Sequence, residues 1–226
     1  MSEWWTYTLA DFLLFSPQTY LRLVEGYQRD VWPVQIPTLV LGVVVALAAL
    51  RGGRSAGRIA ALILAVLWIA VAWAFHLERY ATINWAAPYF AAAFVVQAVW
   101  MLATGFVRNG WNLGPPRGTV DWIAIALIVF ALAGEPLLGR ALGRAWPQVE
   151  VFGITPDATA LATLGTLLMA RQPGSMALPA LWCAVSGALL WAMEAPDALV
   201  PPVAALAALA LALATRRRRP PQRPAW

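Results

Sequence analysis

Long apolar runs separated by short polar segments dominate the chain. A bilayer core about 30 Å thick requires roughly 20 apolar residues of α-helix at about 1.5 Å per residue. Seven runs approach that length: residues 33–50, 59–77, 85–107, 120–138, 156–170, 176–193 and 199–215. The pattern predicts an all-α membrane protein with about seven transmembrane helices. The fifth run is short and rich in Thr, and it would also suit a re-entrant or bundle-buried segment.

A further helix is predicted ahead of the first run. Ser16 followed by Pro17 is typical of an N-cap and the first helical position, and the helix would continue to about Asp30. Apolar residues at three- and four-residue steps favour a helix lying in the outer interface, as an anchor or lid. The lead-in contains Trp4, Trp5, Phe12, Leu13, Leu14 and Phe15.

The predicted organisation therefore has three parts: an interfacial helix in residues 1–31, a transmembrane bundle in residues 32–215, and an Arg/Pro-rich cytoplasmic tail in residues 216–226. The first thirty residues lack a basic segment followed by a continuous apolar one, so no cleavable signal peptide is expected.

The distribution of arginines orients the bundle, because basic residues are retained on the cytoplasmic side. One side would carry eleven arginines: Arg51, Arg54, Arg58, Arg108, Arg117, Arg171, Arg216, Arg217, Arg218, Arg219 and Arg223. The other side would carry five: Arg22, Arg29, Arg79, Arg140 and Arg144. The N-terminus is therefore expected outside and the C-terminus inside.

Composition supports the membrane class and excludes several chemistries. The chain is 61% apolar or aromatic and 12% charged, whereas soluble domains have about 25% charged residues. All 16 basic residues are Arg, which excludes a lysine Schiff base with retinal or pyridoxal. One cysteine, Cys183, and one histidine, His76, exclude disulfide frameworks, Cys/His zinc sites and bis-histidine haem within one chain. No cofactor is assigned, and the expected location is the bacterial inner membrane.

The densest polar group is His76, Glu78, Arg79 and Asn84, at the outer end of the second run. Charged groups in a membrane are costly unless they are paired or hydrated, so they are candidates for function. Three more carboxyl groups would lie at a similar depth and could complete a ligand-binding pocket open to the outside: Glu135, Asp157 and Glu194.

In such a pocket His76 could accept a proton or bind a metal, with Glu135 or Glu194 as its partner. The simpler interpretation is that these carboxyl groups are solvated loop ends and that His76 satisfies a local hydrogen bond. No phosphate-binding glycine loop, HExxH or GxSxG motif is present, so no catalytic residue and no metal site are assigned, and an enzyme is the less favoured class.

The C-terminal cluster of Arg216, Arg217, Arg218 and Arg219 precedes two prolines. It is typical of a stop-transfer segment that also binds anionic lipid, and nucleic-acid binding is not expected.

Four tryptophans lie near the middle of predicted spans, where they would pack helices together or line a cavity for an apolar or pigment-like ligand; they are Trp68, Trp73, Trp100 and Trp182.

A weak internal repeat appears at an offset of 114 residues. It aligns Trp68 with Trp182 and Pro88 with Pro202, although many of the other matches are alanines. A true repeat would give a parallel three-plus-one-plus-three arrangement, which occurs in some transporters.

Several stretches resemble a family of bacterial multi-pass membrane proteins, a domain of unknown function. They are SEWWTYTLADFLLFSPQTYLRLVEGYQRDVWP, HLERYATINWAAPYFAAAFVVQA, FGITPDATALATLGTLLMA and LWCAVSGALL. Relatives have Cys-Pro where this chain has Asp157-Ala158, so a thiol-based role would not transfer. The resemblance implies the membrane class and adds no mechanism.

Two functions are consistent with these patterns as hypotheses. The first is a carrier for a small solute or ion with an outward-facing polar site. The alternative is a non-catalytic accessory or assembly subunit of a larger membrane complex, which binds partners, lipid or pigment, or a second copy of the chain. A seven-helix sensor is a weaker third class.

Overall fold

The computed structural model describes residues 15–217, and in that part of the chain it is all-helical. It contains no β-strand there, only an isolated bridge between Gly53 and Leu113. The α-helices are α1 (Pro17–Asp30), α2 (Gln35–Arg51), α3 (Arg54–Ala70), α4 (Ala87–Met101), α5 (Thr119–Val129), α6 (Glu135–Ala141), α7 (Pro156–Met169), α8 (Ala177–Ala192) and α9 (Val200–Arg217). Each of the seven apolar runs coincides with one or more of these helices.

Helix α1 begins where the sequence predicted. The Ser16 hydroxyl accepts a hydrogen bond from the backbone N–H of Thr19 at 3.2 Å, and Pro17 occupies the first turn. Helix α1 then meets α2 at an angle of 92°. Val24 and Tyr27 bury one face of α1 against the bundle. The lead-in residues Trp4, Trp5, Phe12, Leu13 and Leu14 lie outside the described residues.

Within residues 15–217, three helical stretches are long and apolar enough to cross a membrane: Arg54–Thr82, Ala87–Val107 and Thr119–Ala141. Helices α1 and α2 would form a fourth if the bent pair counts as one span, whereas α8 and α9 are apolar but shorter. Large apolar side chains such as Val96, Val99 and Leu206 are more than half exposed. These features are compatible with a membrane protein.

Each of the three long stretches contains a π-helical turn, at Val71–Leu77, Leu102–Val107 and Phe130–Gly134. Such turns insert an extra residue into an α-helix and are frequent near functional sites. The third of them joins α5 to α6, so that α6 continues the same span as far as Ala141.

Helix α7 lies at the centre of the bundle, and all of its residues are buried. It packs against α3, α5, α8 and α9. Gly165 allows this close packing, because a Cβ atom there would lie 2.7 Å from the carbonyl oxygen of Ala124 on α5. The hydroxyls of Thr159, Thr163 and Thr166 each donate to a carbonyl four residues earlier in the chain. The predicted fifth run is thus a bundle-buried helix.

Two helix pairs flank α7 and contain the tryptophans that the repeat aligns. Helices α3 and α4 pack together, as do α8 and α9. The Trp68 indole donates to Thr163 on α7 at 2.8 Å, and the Trp182 indole donates to Asp157 on α7 at 2.7 Å. Both tryptophans therefore join a flanking helix to the central one.

The bundle has two distinct ends. The α1 end contains α1, the segment from α6 to α7, and the connection between α8 and α9. At the opposite end Arg171 forms an ion pair with Asp121, and Gln172 donates to the carbonyl of Gly110. The side chain of Trp111 is fully buried at that end of the bundle.

Candidate functional site

A cavity of about 310 Å³ opens at the α1 end of the bundle. Its walls come from α1, α6, the α6–α7 segment, the first turn of α7 and the α8–α9 connection. We call it the acidic cavity because seven titratable side chains line it, five of them carboxyl groups: Tyr20, Glu135, Arg144, Glu150, Asp157, Glu194 and Asp197.

Asp157 lies in the first turn of α7, directly after Pro156. One carboxylate oxygen accepts a hydrogen bond from the Trp182 indole at 2.7 Å, and the other accepts one from the Ser186 hydroxyl at 2.5 Å. Trp182 and Ser186 are one helical turn apart on α8, so a single face of α8 supplies both donors. Asp157 is 4% exposed and is held in a fixed position.

Glu135 and Glu150 are buried without equivalent partners. Glu135 starts α6 directly after a π-helical turn, and Glu150 lies in the segment that leads to α7. Each side chain is 8% exposed, and the Oε2 atom of each accepts no hydrogen bond from any described residue. Burial, followed by the nearby Asp157 carboxylate, raises the pKa of Glu150 from 4.5 to about 8.

The only cation among the described residues that line the cavity is Arg144, and Asp197 neutralises it at an N–O distance of 2.7 Å. Both side chains are largely shielded from solvent. Glu194 lies exposed near them, with a backbone φ of 56° where α8 has ended. One paired cation against five carboxyl groups gives the cavity an excess of acid.

Of the seven candidate residues, Glu135, Asp157 and Glu194 line the acidic cavity. The other four do not line it in the described part of the chain: His76, Glu78, Arg79 and Asn84.

His76 lies instead among aromatic rings, and we call this group the His76 cluster: His76, Phe75, Tyr80, Phe90, Phe94 and Trp182. The imidazole centroid is 4.6 Å from the Phe94 ring and 5.0 Å from the Trp182 ring. Neither ring nitrogen has a hydrogen-bond partner within residues 15–217. No proton acceptor or metal ligand role follows from these contacts, because the π-helical turn at Val71–Leu77 directs the imidazole into the core.

Of the remaining three candidates, Arg79 and Asn84 stabilise local structure at the α1 end. Arg79 pairs with Asp30 of α1 at 2.9 Å, and not with its neighbour Glu78. The Asn84 side chain accepts from the backbone N–H of Ala86, just before α4 begins. Glu78 is exposed.

No three His, Cys, Asp or Glu side chains among residues 15–217 are arranged to hold a metal ion. Of the lipid-binding candidates, Arg216 and Arg217 belong to the last turn of α9, whereas Arg218 and Arg219 lie outside the described residues.

Residues 17–223 match the model of a family of unknown function, DUF6064. The chain belongs to this family. The match covers most of the chain and agrees with the resemblance noted in the sequence. No curated protein and no solved structure matches it significantly.

The sequence of this family member does not reveal every residue that lines the cavity or donates to Asp157. The sequence places Glu150 and Asp197 at the outer face but does not link them to the site. It favours a helix-packing role for Trp182, and it does not single out Ser186. A signal is present for these two donors, since a tryptophan and a serine four residues apart share one face of a helix. No local pattern marks Glu150, whose position depends on a loop.

Proposed function

We propose that the protein is a membrane carrier for a small solute or ion and that the acidic cavity is its outward-facing site. The observation that carries the proposal is the convergence of Glu135, Glu150 and Asp157 from separate segments on one open cavity. Buried carboxyl groups are costly in a membrane protein and are retained where they bind or move something.

The proposed topology has seven crossings, with α1 lying in the outer interface. The excess of arginine at the end opposite α1 supports an outside location for the α1 end and for the cavity. The short helix α7 begins at the cavity, and carriers commonly place a broken or shortened helix at the binding site. The two helix pairs that flank α7 support a parallel repeat. The proposed location is the bacterial inner membrane.

The main experiment compares solute movement through wild-type protein and a blocked variant. Proteoliposomes are loaded with a defined mixture of amino acids, amines and organic acids, and the internal contents are followed by mass spectrometry. The Ala195→Trp variant places an indole in the cavity wall, and Ala177→Trp, at an exposed position where α8 starts, is the matched control.

We expect wild-type protein and Ala177→Trp to move at least one solute faster than protein-free vesicles, and Ala195→Trp to move none. Equal movement through wild-type protein and Ala195→Trp would contradict the proposal.

A labelling experiment tests the direction of the cavity. The sequence contains one cysteine, Cys183, which is buried, so Cys183→Ala provides a cysteine-free background. In intact cells, a membrane-impermeant maleimide should label Ala195→Cys at the cavity and should leave Ser55→Cys, at the opposite end, unlabelled. Labelling in the reverse pattern would show that the proposed orientation is wrong.

The alternative proposal is an accessory subunit that binds a membrane partner, lipid or pigment. An apolar cavity of about 690 Å³ supports it, since this cavity lies between the largely exposed Trp32 and Trp146. It predicts that purification in mild detergent yields a stoichiometric partner or a coloured ligand, and that Ala195→Trp has no effect. A protein that purifies alone and moves a solute would favour the carrier.

A further inference from the structure

The acidic cavity contains hydrogen-bond acceptors that the described residues leave unused. Asp157 is satisfied by Trp182 and Ser186, and Asp197 is satisfied by Arg144. Glu135 and Glu150 each retain a buried Oε2 atom without a donor. An oxygen without a donor is unfavourable in a buried carboxyl group, so Glu135 and Glu150, which both line the cavity, favour a ligand that supplies donors.

The arrangement does not suit a metal ion. Hard cations such as Ca²⁺ take six to eight oxygen ligands, and no group of three potential ligands is suitably placed in residues 15–217. The cavity also has an apolar side, which would contribute nothing to a bare ion: Leu138, Leu142, Leu190, Met193 and Val200. A volume of about 310 Å³ lies at the lower limit for small-molecule pockets.

We propose that the solute is a small organic ammonium ion whose N–H groups donate to Glu135 and Glu150 and whose apolar part contacts the leucine side of the cavity. This inference rests on the proposed function, since it assigns a class of solute to the same site. Ammonium groups carry several donors and no acceptor, which matches a cavity lined by five carboxyl groups and one paired arginine.

Binding exchanges one proton for the ligand. Without ligand Glu150 is held in its neutral form near pH 7, because burial and the neighbouring carboxyl groups oppose its charge. An ammonium ion that enters pairs with the carboxylate, and the carboxyl proton leaves to solvent, so the charge of the site is unchanged. The groups around Glu150 come from every wall of the cavity: Tyr20 on α1, Glu135 on α6, Arg144 after α6, Asp157 on α7, and Glu194 and Asp197 between α8 and α9.

Isothermal titration calorimetry on the full chain in lipid nanodiscs tests this proposal with three probes of similar shape. The probes are n-butylammonium, 1-butanol and butyrate, which are cationic, neutral and anionic. Titrations in buffers of different ionisation enthalpy measure the number of protons released.

We expect that, of the three probes, only n-butylammonium binds saturably. Up to one proton should be released per bound ligand near pH 7. Affinity should rise as the pH increases towards about 8 and level off above it, because less of Glu150 must then be deprotonated on binding. Glu135→Gln and Glu150→Gln should each weaken binding by about tenfold or more, since each removes a charge-assisted hydrogen bond.

Glu150→Gln should also abolish most of the proton release. The matched control is Glu78→Gln, because Glu78 is an exposed carboxylate that does not line the cavity. The thermal unfolding midpoint of each variant verifies that it is folded.

Binding of butyrate, or equal binding of 1-butanol, would overturn the ammonium assignment. Failure of all three probes to bind would overturn it as well. These outcomes are distinguishable from failure of the carrier itself, because the comparison of wild-type protein with Ala195→Trp in loaded vesicles does not depend on the class of solute.

Discussion

Trp182 belongs to the His76 cluster and also donates to Asp157 of the acidic cavity, and these two neighbouring regions bury their polar groups differently. In the cluster, one imidazole lies among aromatic rings, and no described residue donates to or accepts from it. In the cavity, several carboxyl groups surround an open volume, and two of them keep an unused oxygen. Both regions are polar in sequence, but only the cavity has space for a ligand.

This difference shows that residue type alone does not identify a candidate site in a helical bundle. A polar side chain next to an accessible volume can exchange its partner for a ligand, whereas one enclosed by rings can act only through packing. Variants that separate packing from binding test the distinction.

The largest effect is expected at Trp182, which belongs to the His76 cluster and holds Asp157 of the cavity in place. Trp182→Ala should lower the free energy of unfolding by about 3–5 kcal/mol, because it removes a large buried ring and leaves Asp157 without one donor. Trp182→Phe keeps the ring contacts and should cost about 1–3 kcal/mol. Denaturant unfolding of detergent-solubilised protein measures both.

The control for this series is Trp191→Ala, a mostly exposed tryptophan on the same helix. A cost for Trp182→Ala no greater than that of the control would show that the indole does not join the two regions.

An effect of intermediate size is expected in the pH dependence of the unfolding midpoint, measured in the absence of ligand. The folded state raises the pKa of Glu150 to about 8 and therefore favours its neutral form. That contribution is fully present below about pH 4.5 and is lost as the pH rises through about 8. Glu150→Gln cannot ionise, so its unfolding midpoint should fall less than that of the wild type between about pH 5 and pH 8.

Other buried carboxyl groups also contribute to the change of the unfolding midpoint with pH. The Glu150→Gln variant should therefore show a smaller slope than the wild type, but not a slope of zero. Glu78→Gln should keep the wild-type slope. A Glu150→Gln profile parallel to the wild type would show that Glu150 ionises freely in the folded state.

The smallest effect is expected at His76. His76→Phe should change the free energy of unfolding by less than about 1.5 kcal/mol and should leave solute movement intact, because the ring nitrogens make no hydrogen bond with the described residues. His76→Asp should be far more destabilising, since an unpaired carboxylate would lie among aromatic rings. Loss of solute movement in a stable His76→Phe variant would return His76 to the site.

Much of the helical architecture follows from the sequence. The bounds of α1, α7, α8 and α9 agree with the apolar runs and the capping residues to within a few residues. In the part of the chain that the structure describes, three stretches are long and apolar enough to cross a membrane, or four with the bent pair, whereas the sequence predicts seven. Helices α7 and α8 have 14 and 16 residues, which is short of the roughly 20 that a bilayer core requires.

The site is only partly predictable. Glu135 and Asp157 can be identified because they interrupt or begin apolar runs. The burial of His76 cannot, because the π-helical turn at Val71–Leu77 adds a residue and rotates the later part of the helix by about 100° relative to a regular α-helix. A period of 3.6 residues therefore assigns side chains beyond this turn to the wrong face.

The complete burial of α7 has a consequence for biosynthesis. A segment of 14 residues with an aspartate and several threonines is a poor substrate for insertion into a membrane by itself. Helix α5, which precedes it in the chain, supplies one packing surface, and α8, which comes after it, supplies both donors to Asp157. In the proposed membrane topology, α7 can therefore take its final position only after the ribosome has completed α8, so the central helix packs against helices made both before and after it.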